Sequence, residues 1–423
     1  LNILLTFEFL IVYSLLFLAI MRKFISIKLF SILTLIFTIT EISLNATSQI
    51  SGITKEWGFA ARSTYNKDIS SMKAIMDYVN NNQPTFVRTE KLQIQTGNDS
   101  MKFNYNGISQ FSSVRNRSAN MTLDKLGFKS SGTNLNLRYA NNTILADSLF
   151  GITYNISENS VDKYGFQPVD KRNNLTLYKN DFSLPVAFAT QEVYNDVTFD
   201  EHTLDNQTKF LNQISNLNND YYTIIPIDNK KTNENLVNVS GNSTEYASIK
   251  YSIDAPENSQ IYLSLSNLHF SNEKNKNVDI IVNGEKKVFT TDNSFTLFNI
   301  GYTEQRKALE IGVIFPENSQ VSFEAPTFYR LDTQKLTEAV NRIKENPVEV
   351  TSYKNKLTVN YDVKNDSSIF LTIPYDKGWS AYQDGKKLEV KQAQTGFMKI
   401  DVAKGRGTIT LAFVPKGLII GAH

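Results

Sequence analysis

Apolar residues are spread unevenly along the chain. They fill positions 1–45 almost without a break, give way to strand-like alternation over 46–416, and return in the stub Gly417-Leu418-Ile419-Ile420-Gly421-Ala422-His423. Crossing ~30 Å of hydrocarbon takes about 20 apolar residues in a helix. Two segments meet that length: Ile3 to Met21, with Glu8 as its charge, and Phe24 to Leu44, with Lys28 and Glu41 near its ends. Both end charges lie within snorkelling reach of an interface. The pattern therefore predicts two transmembrane helices within 1–48. No small-residue cleavage site follows Met21, which argues against a removed signal peptide. Arg22, Lys23 and Lys28 cluster at the connection between the spans. Basic residues at span ends stay in the cytoplasm, so the connection is expected inside and the soluble body outside. The stub, 416–423, is expected to begin a further span. The layout reads as a piece of a multispanning protein with a large soluble insert.

The soluble body divides by period. Ile69, Met72, Met76 and Val79 recur at helical spacing behind Asp68, which predicts a capped amphipathic helix over 69–80, ended by Pro84. A strand at 85–89, a helix at 118–126 stopped by Gly127, and strands at 135–139, 151–156, 174–178 and 186–193 complete a mixed α/β domain, 49–194. Residues 195–235 read as a polar helical connector, with a helix around Phe210, Leu211, Ile214 and Leu217. From 236 the period is two, as in Ala247-Ser248-Ile249-Lys250-Tyr251-Ser252-Ile253, and Asn283-Gly284 supplies a hairpin turn. Residues 236–331 are predicted as a β-sandwich-like domain. Asp332 then caps a helix carrying Leu336, Val340 and Ile343, and a second β domain completes 332–415. Asp384-Gly385 and Gly405-Arg406-Gly407 are its expected turns. The fold class is a membrane helical hairpin plus an extracytoplasmic α/β domain and β-sandwich-like domains, α+β overall.

Charge and composition narrow the chemistry. The 44 basic and 42 acidic residues leave a net charge of +2 with no basic stripe, which argues against a nucleic-acid partner. Cysteine is absent, so thiol nucleophiles and thiolate metal sites are excluded, and an exported protein without disulfides fits a Gram-positive surface. The three histidines, His202, His269 and His423, form no paired-His helix motif. No Gly-x-Ser-x-Gly elbow and no phosphate-cradling glycine loop occurs.

Three stretches together carry a resemblance. They are Phe86-Val87-Arg88-Thr89-Glu90 with the loop 104–113, then 146–154, then 373–379 with Asp384-Gly385-Lys386 and 413–417. In this order, after a span bearing Glu41 and Asn45, the chain resembles the YfhO family of bacterial multispanning membrane proteins. The family is similar to GT-C-type glycosyltransferases. The resemblance implies a membrane enzyme that moves a sugar from a polyprenyl-phosphate donor to an anionic envelope polymer or glycan, such as lipoteichoic or wall teichoic acid. Its partners would be membrane lipid, that donor and that polymer. The catalytic acid of such enzymes sits in an early external loop with no counterpart here, so no catalytic residue and no cofactor is assigned to this chain. The resemblance admits a divalent metal in the full-length protein. The rival reading is a non-catalytic carbohydrate-binding or scaffold protein for envelope assembly.

Seven residues are candidates for substrate contact. Glu41, with Asn45, would touch the lipid-linked donor or pair with a neighbouring span. Arg88, Tyr105 and Asn106 would bind an anionic polymer or sugar, or form a turn with core aromatics. Tyr375 and Trp379 would form a sugar platform, or lie in a core through strand alternation.

Overall fold

The computed structural model describes residues 2–56, 61–128, 136–139, 142–191, 196–227, 236–240, 246–271, 277–290, 297–317 and 320–417. The chain forms two compact units, Leu1–Ile69 and Ser70–His423. The predicted further span at 416–423 falls, from 418 onward, outside the described residues.

In the first unit, helix α1 (Asn2–Met21) and helix α2 (Ile27–Glu56) are both long and apolar enough to cross a membrane. Lys23, at a φ of 59°, turns the chain between them. The hydroxyl of Ser26 accepts from the amide of Leu29 and opens α2. Ile32, Leu35, Ile36, Ile39 and Ile42 stay exposed on α2, as apolar side chains do when their natural solvent is lipid. The 30 residues of α2 extend ~45 Å at ~1.5 Å each, beyond the expected end at Leu44. The added turns carry Thr47 and Thr54, whose hydroxyls donate to the carbonyls of Ser43 and Ser51, four and three residues back. The segment read as a link from 49 is thus helical as far as Glu56.

The second unit is a mixture of helices and mainly antiparallel sheets. Helix Ile69–Asn82 lays Met72, Ile75, Met76 and Val79 against Tyr154, Ile156, Leu175 and Leu177, as its period required. Asp68 takes a left-handed φ of 65°, not the extended conformation of an N-cap. The sheet beneath runs Arg88–Lys91, Ile152–Ser157, Leu175–Asn180, Phe166–Arg172, with its first pair parallel. Asn116 caps helix Arg117–Lys125 by accepting from the amide of Ala119 at 3.0 Å, and Gly127 closes it at a φ of 99°.

Two four-stranded sheets, one holding Tyr246–Ala255 and the other Ser259–Ser264, share a single apolar cluster that includes Ile253, Leu263, Phe298 and Ile311. Asn283-Gly284 turns between Asn277–Val282 and Glu285–Thr290 at φ values of 47° and 90°. Asp332 accepts from the amides of Gln334 and Lys335 and starts helix Thr333–Lys344. Gly405-Arg406-Gly407 is not a turn but the opening of strand Gly405–Phe413, where Arg406 lies opposite Asp362 and bonds to it. Gly407 sits under the Tyr361 phenol, where a Cβ would collide with the ring. The glycine there serves packing.

The segments expected as successive domains interlock. Strand Ala187–Gln191 pairs with Ser367–Leu371, beside Phe397–Val402 and Lys391–Ala393. Helix Thr203–Ser215, in the expected connector, buries Phe210, Leu211 and Ile214 in the same cluster as Leu149, Tyr262, Leu336 and Phe370.

Candidate functional site

Polar side chains meet between the helices of the hairpin. Tyr13 of α1 donates its hydroxyl to Glu41 of α2 at 2.9 Å and lies 3.1 Å from the Thr38 hydroxyl. Asn45, four residues on along α2, is half-buried like Glu41. Leaving an ionisable group without partners in hydrocarbon is costly, and the Tyr13 bond offsets part of that cost. Tyr13 drew no notice in the sequence, because only the register of the hairpin brings it to Glu41.

In the second unit the three stretches that carry the family resemblance meet at one residue. Arg88 is buried and donates to the carbonyl of Phe150 at 2.7 Å, and to the hydroxyl and carbonyl of Thr372 at 2.8 and 2.7 Å. One guanidinium therefore ties the first stretch to the second and to the residue preceding the third. Burial lowers its pKa to about 10, against the opposing pull of the Glu90 carboxylate. Two residues on, Glu90 is also buried. Its Oε1 accepts from the amides of Ile108 and Ser109, pinning the loop 104–113 to the strand. Burial pushes its pKa up to about 7, against those amide bonds and the Arg88 charge. Among the described residues its Oε2 has no hydrogen-bond partner. Tyr105 is buried against the helix Ile69–Asn82, and burial pushes its phenol upward. Asn106 faces solvent, its amide donating to the Val87 carbonyl at 3.3 Å.

A second buried group braces the same region. Lys163 bonds to Asp147 at 2.9 Å, to the Tyr139 hydroxyl at 3.0 Å and to Asn155 at 3.2 Å. Tyr139 donates to the other Asp147 oxygen at 2.6 Å. Burial holds the Asp147 carboxyl above its usual range in spite of the Lys163 charge. Neither residue was singled out in the sequence as a functional or bracing group. A lysine and an aspartate 16 positions apart give no periodic signal.

Tyr375 and Trp379 come together in a different setting. They line an open cleft of about 320 Å³ with Asp376, Lys377, Ser380, Lys387, Leu388, Glu389 and Val390. The Trp379 indole leans on Phe413 at 5.1 Å between ring centres. Asp376 accepts from the amide of Gly378 at 2.7 Å, and the Trp379 amide donates to the Asp376 carbonyl, which shapes the loop before strand Trp379–Gln383. Half-buried aromatics beside exposed charges give the cleft an apolar floor and a polar rim. Among the described residues no group of three or more His, Asp or Glu stands placed to hold a metal ion.

The whole chain, residues 1–423, matches the family described as bacterial membrane protein YfhO. The chain belongs to the YfhO family. A YfhO protein of Bacillus subtilis (strain 168), described as uncharacterized, is 23% identical over 360 residues, covering 76% of this chain. The chain spans 39% of the length of that curated relative. Among solved structures, a mutant of arabinofuranosyltransferase AftD from Mycobacteria is 11% identical and covers 36% of this chain and 13% of its own, at a TM-score of 0.15. A cycloisomaltooligosaccharide glucanotransferase of Paenibacillus sp. is 7% identical and covers 44% of each chain, also at 0.15. Superpositions at these scores define no common fold.

The seven predicted contact residues thus fall into three places. Glu41 and Asn45 share one helix of the hairpin, Tyr375 and Trp379 share the cleft, and Arg88, Tyr105 and Asn106 surround the pinned loop. Within that last group only Asn106 reaches solvent; Arg88 has committed its donors to backbone and threonine oxygens.

Proposed function

We propose that this member of the YfhO family is part of a multispanning glycosyltransferase of the cell membrane in a Gram-positive bacterium, with its soluble body outside the cytoplasm. The enzyme moves one sugar from a polyprenyl phosphate to an envelope polymer such as lipoteichoic or wall teichoic acid. The observation that carries the reading is the cleft: a membrane protein bears on its body a sugar-sized recess with an aromatic floor and a charged rim. Aromatic faces accept the C–H side of a pyranose, and rim groups accept its hydroxyls. Tyr375 and Trp379 hold the acceptor, and Glu41 with Asn45 faces the lipid-linked donor. A carboxylate of the full-length protein, outside this chain, takes the proton from the acceptor hydroxyl as its oxygen attacks the anomeric carbon. The polyprenyl phosphate departs with the bonding electrons. The positive connection at Arg22, Lys23 and Lys28 favours the topology in which the body is outside. Arg88 and Tyr105 serve the frame.

The test is the sugar content of the polymer in cells lacking the full-length gene, complemented with wild type, with Trp379→Ala, or with the early external-loop carboxylates changed to amides. Loss of one sugar that wild type restores and the carboxylate variant does not supports the transferase, and a partial defect with Trp379→Ala supports the cleft. Full restoration by the carboxylate variant sinks the transferase and leaves the carbohydrate-binding or scaffold reading.

A further inference from the structure

The loops between Asn98 and Arg117 hold large apolar side chains out in water. Val114 is 91% exposed, Met101 80% and Phe111 50%. Asn98 joins the segments that carry them by bracketing Phe111 with two hydrogen bonds: its Oδ1 accepts from the Phe111 amide at 2.8 Å and its Nδ2 donates to the Phe111 carbonyl at 3.0 Å. Met101 follows Asn98 by three residues, and Val114 follows Phe111 by three. The tip is also braced from behind. Asp99 accepts from the amides of Gln95 and Thr96 at 2.8 and 2.9 Å, and Glu90 grips the amides of Ile108 and Ser109. Exposure is thus imposed by a bonded loop, and a held-out apolar group of this kind marks a contact surface.

Charge selects the occupant. Arg115, half-buried with its Nε covered, and the exposed Arg117 lie within three residues after Val114, and Asp99, the one acid between 98 and 123, is buried. Apolar tips beside arginines, with no exposed acid in the stretch, match the headgroup layer of an anionic bilayer, where apolar groups reach the acyl boundary and cations meet phosphates. The chain belongs to a family of membrane proteins, which makes a lipid surface the occupant to test. We propose that this tip, through Met101, Phe111, Val114, Arg115 and Arg117, docks into the headgroup layer of anionic lipid. The proposal is independent of the transferase reading. It has a consequence for the cleft, because the Asn116 amide donates to the Tyr375 carbonyl at 2.6 Å, linking the docked loop to the cleft wall.

The chain contains no cysteine, so one introduced cysteine gives a unique label. Full chain carrying Val114→Cys or Met101→Cys is spin-labelled in nanodiscs of phosphatidylglycerol or of phosphatidylcholine. Collision with oxygen, which concentrates in lipid, is compared with collision with a water-soluble nickel chelate. Expected in phosphatidylglycerol is oxygen accessibility above nickel accessibility at both sites, and the reverse at the control Tyr353→Cys, a position 71% exposed. Adding Arg115→Gln and Arg117→Gln lowers the lipid-contacting population about fivefold for each arginine. Water-like accessibility at 101 and 114 overturns the proposal. Low accessibility to both reagents, meaning burial against protein, also overturns it. So does equal contact in both lipids with no effect of the arginine changes.

Discussion

The buried group around Arg88 and the open cleft around Trp379 use the same residue types to opposite ends. In the first, every charged side chain has an internal partner: Arg88 has three oxygens, Glu90 two amides, Lys163 an aspartate, a phenol and an amide oxygen. In the second, Lys377 and Lys387 stand exposed on a rim, and the aromatics stay half open. A buried charge gripped by backbone and side-chain partners holds segments together, whereas one on a rim is open to a ligand. Burial therefore separates frame from site more sharply than residue type does.

Removing a partner from the buried group should give the largest effect. Lys163→Ala leaves the Asp147 carboxylate uncompensated in the interior and is expected to cost about 3–5 kcal/mol in thermal or denaturant unfolding of the solubilised chain. A loss under ~1 kcal/mol would erase the contrast drawn above. Next comes Glu90. Its folded pKa of about 7 exceeds the ordinary 4.5, so the folded state binds the proton more tightly. Stability from this group is present at low pH and is lost as pH rises from about 4.5 to 7, by about 3 kcal/mol in all. Glu90→Gln should flatten that slope, which a comparison of unfolding midpoints at pH 5 and pH 8 reads directly. Asp332→Ala, which removes a helix cap, is expected to cost about 1 kcal/mol. The smallest stability change belongs to the rim. Lys377→Ala should shift unfolding by no more than ~0.5 kcal/mol, while, under the transferase function proposed above, lowering polymer glycosylation in complemented cells. A large unfolding penalty there would move Lys377 from the site to the frame.

Much of the local architecture was legible before any coordinates. The spacing of Met72, Met76 and Val79, the cap at Asp332 and the turn at Asn283-Gly284 are rules of three or four neighbouring residues, and the chain obeys them. Long-range pairing was not legible. Ala187–Gln191 reads as a strand at the end of one domain, yet its partner lies in what looked like another, and no period crosses such a gap. Short elements such as the helix Ile144–Leu149 were missed because six residues carry too little pattern. For the site, the grouping of aromatics flagged Tyr375 and Trp379 as a sugar platform, and both line the cleft. Arg88 was flagged for its charge, but the sequence could not show that Phe150 and Thr372 would occupy its donors.

The pairing of Ala187–Gln191 with Ser367–Leu371 also sets a timetable for synthesis. Thr190 bonds to the Ser368 carbonyl across 178 positions. At a translation rate of roughly 5–20 residues per second, the earlier strand waits on the order of 10–35 s for its partner to leave the ribosome. During that interval a chain with a bare strand edge and an unfilled apolar cluster can bind its neighbours instead. The sheet that holds Ala187–Gln191 therefore cannot close as the chain emerges. It needs either a holding chaperone or a delay in folding until residue 371 is available, and products that stall before Ser367 should be the ones that aggregate.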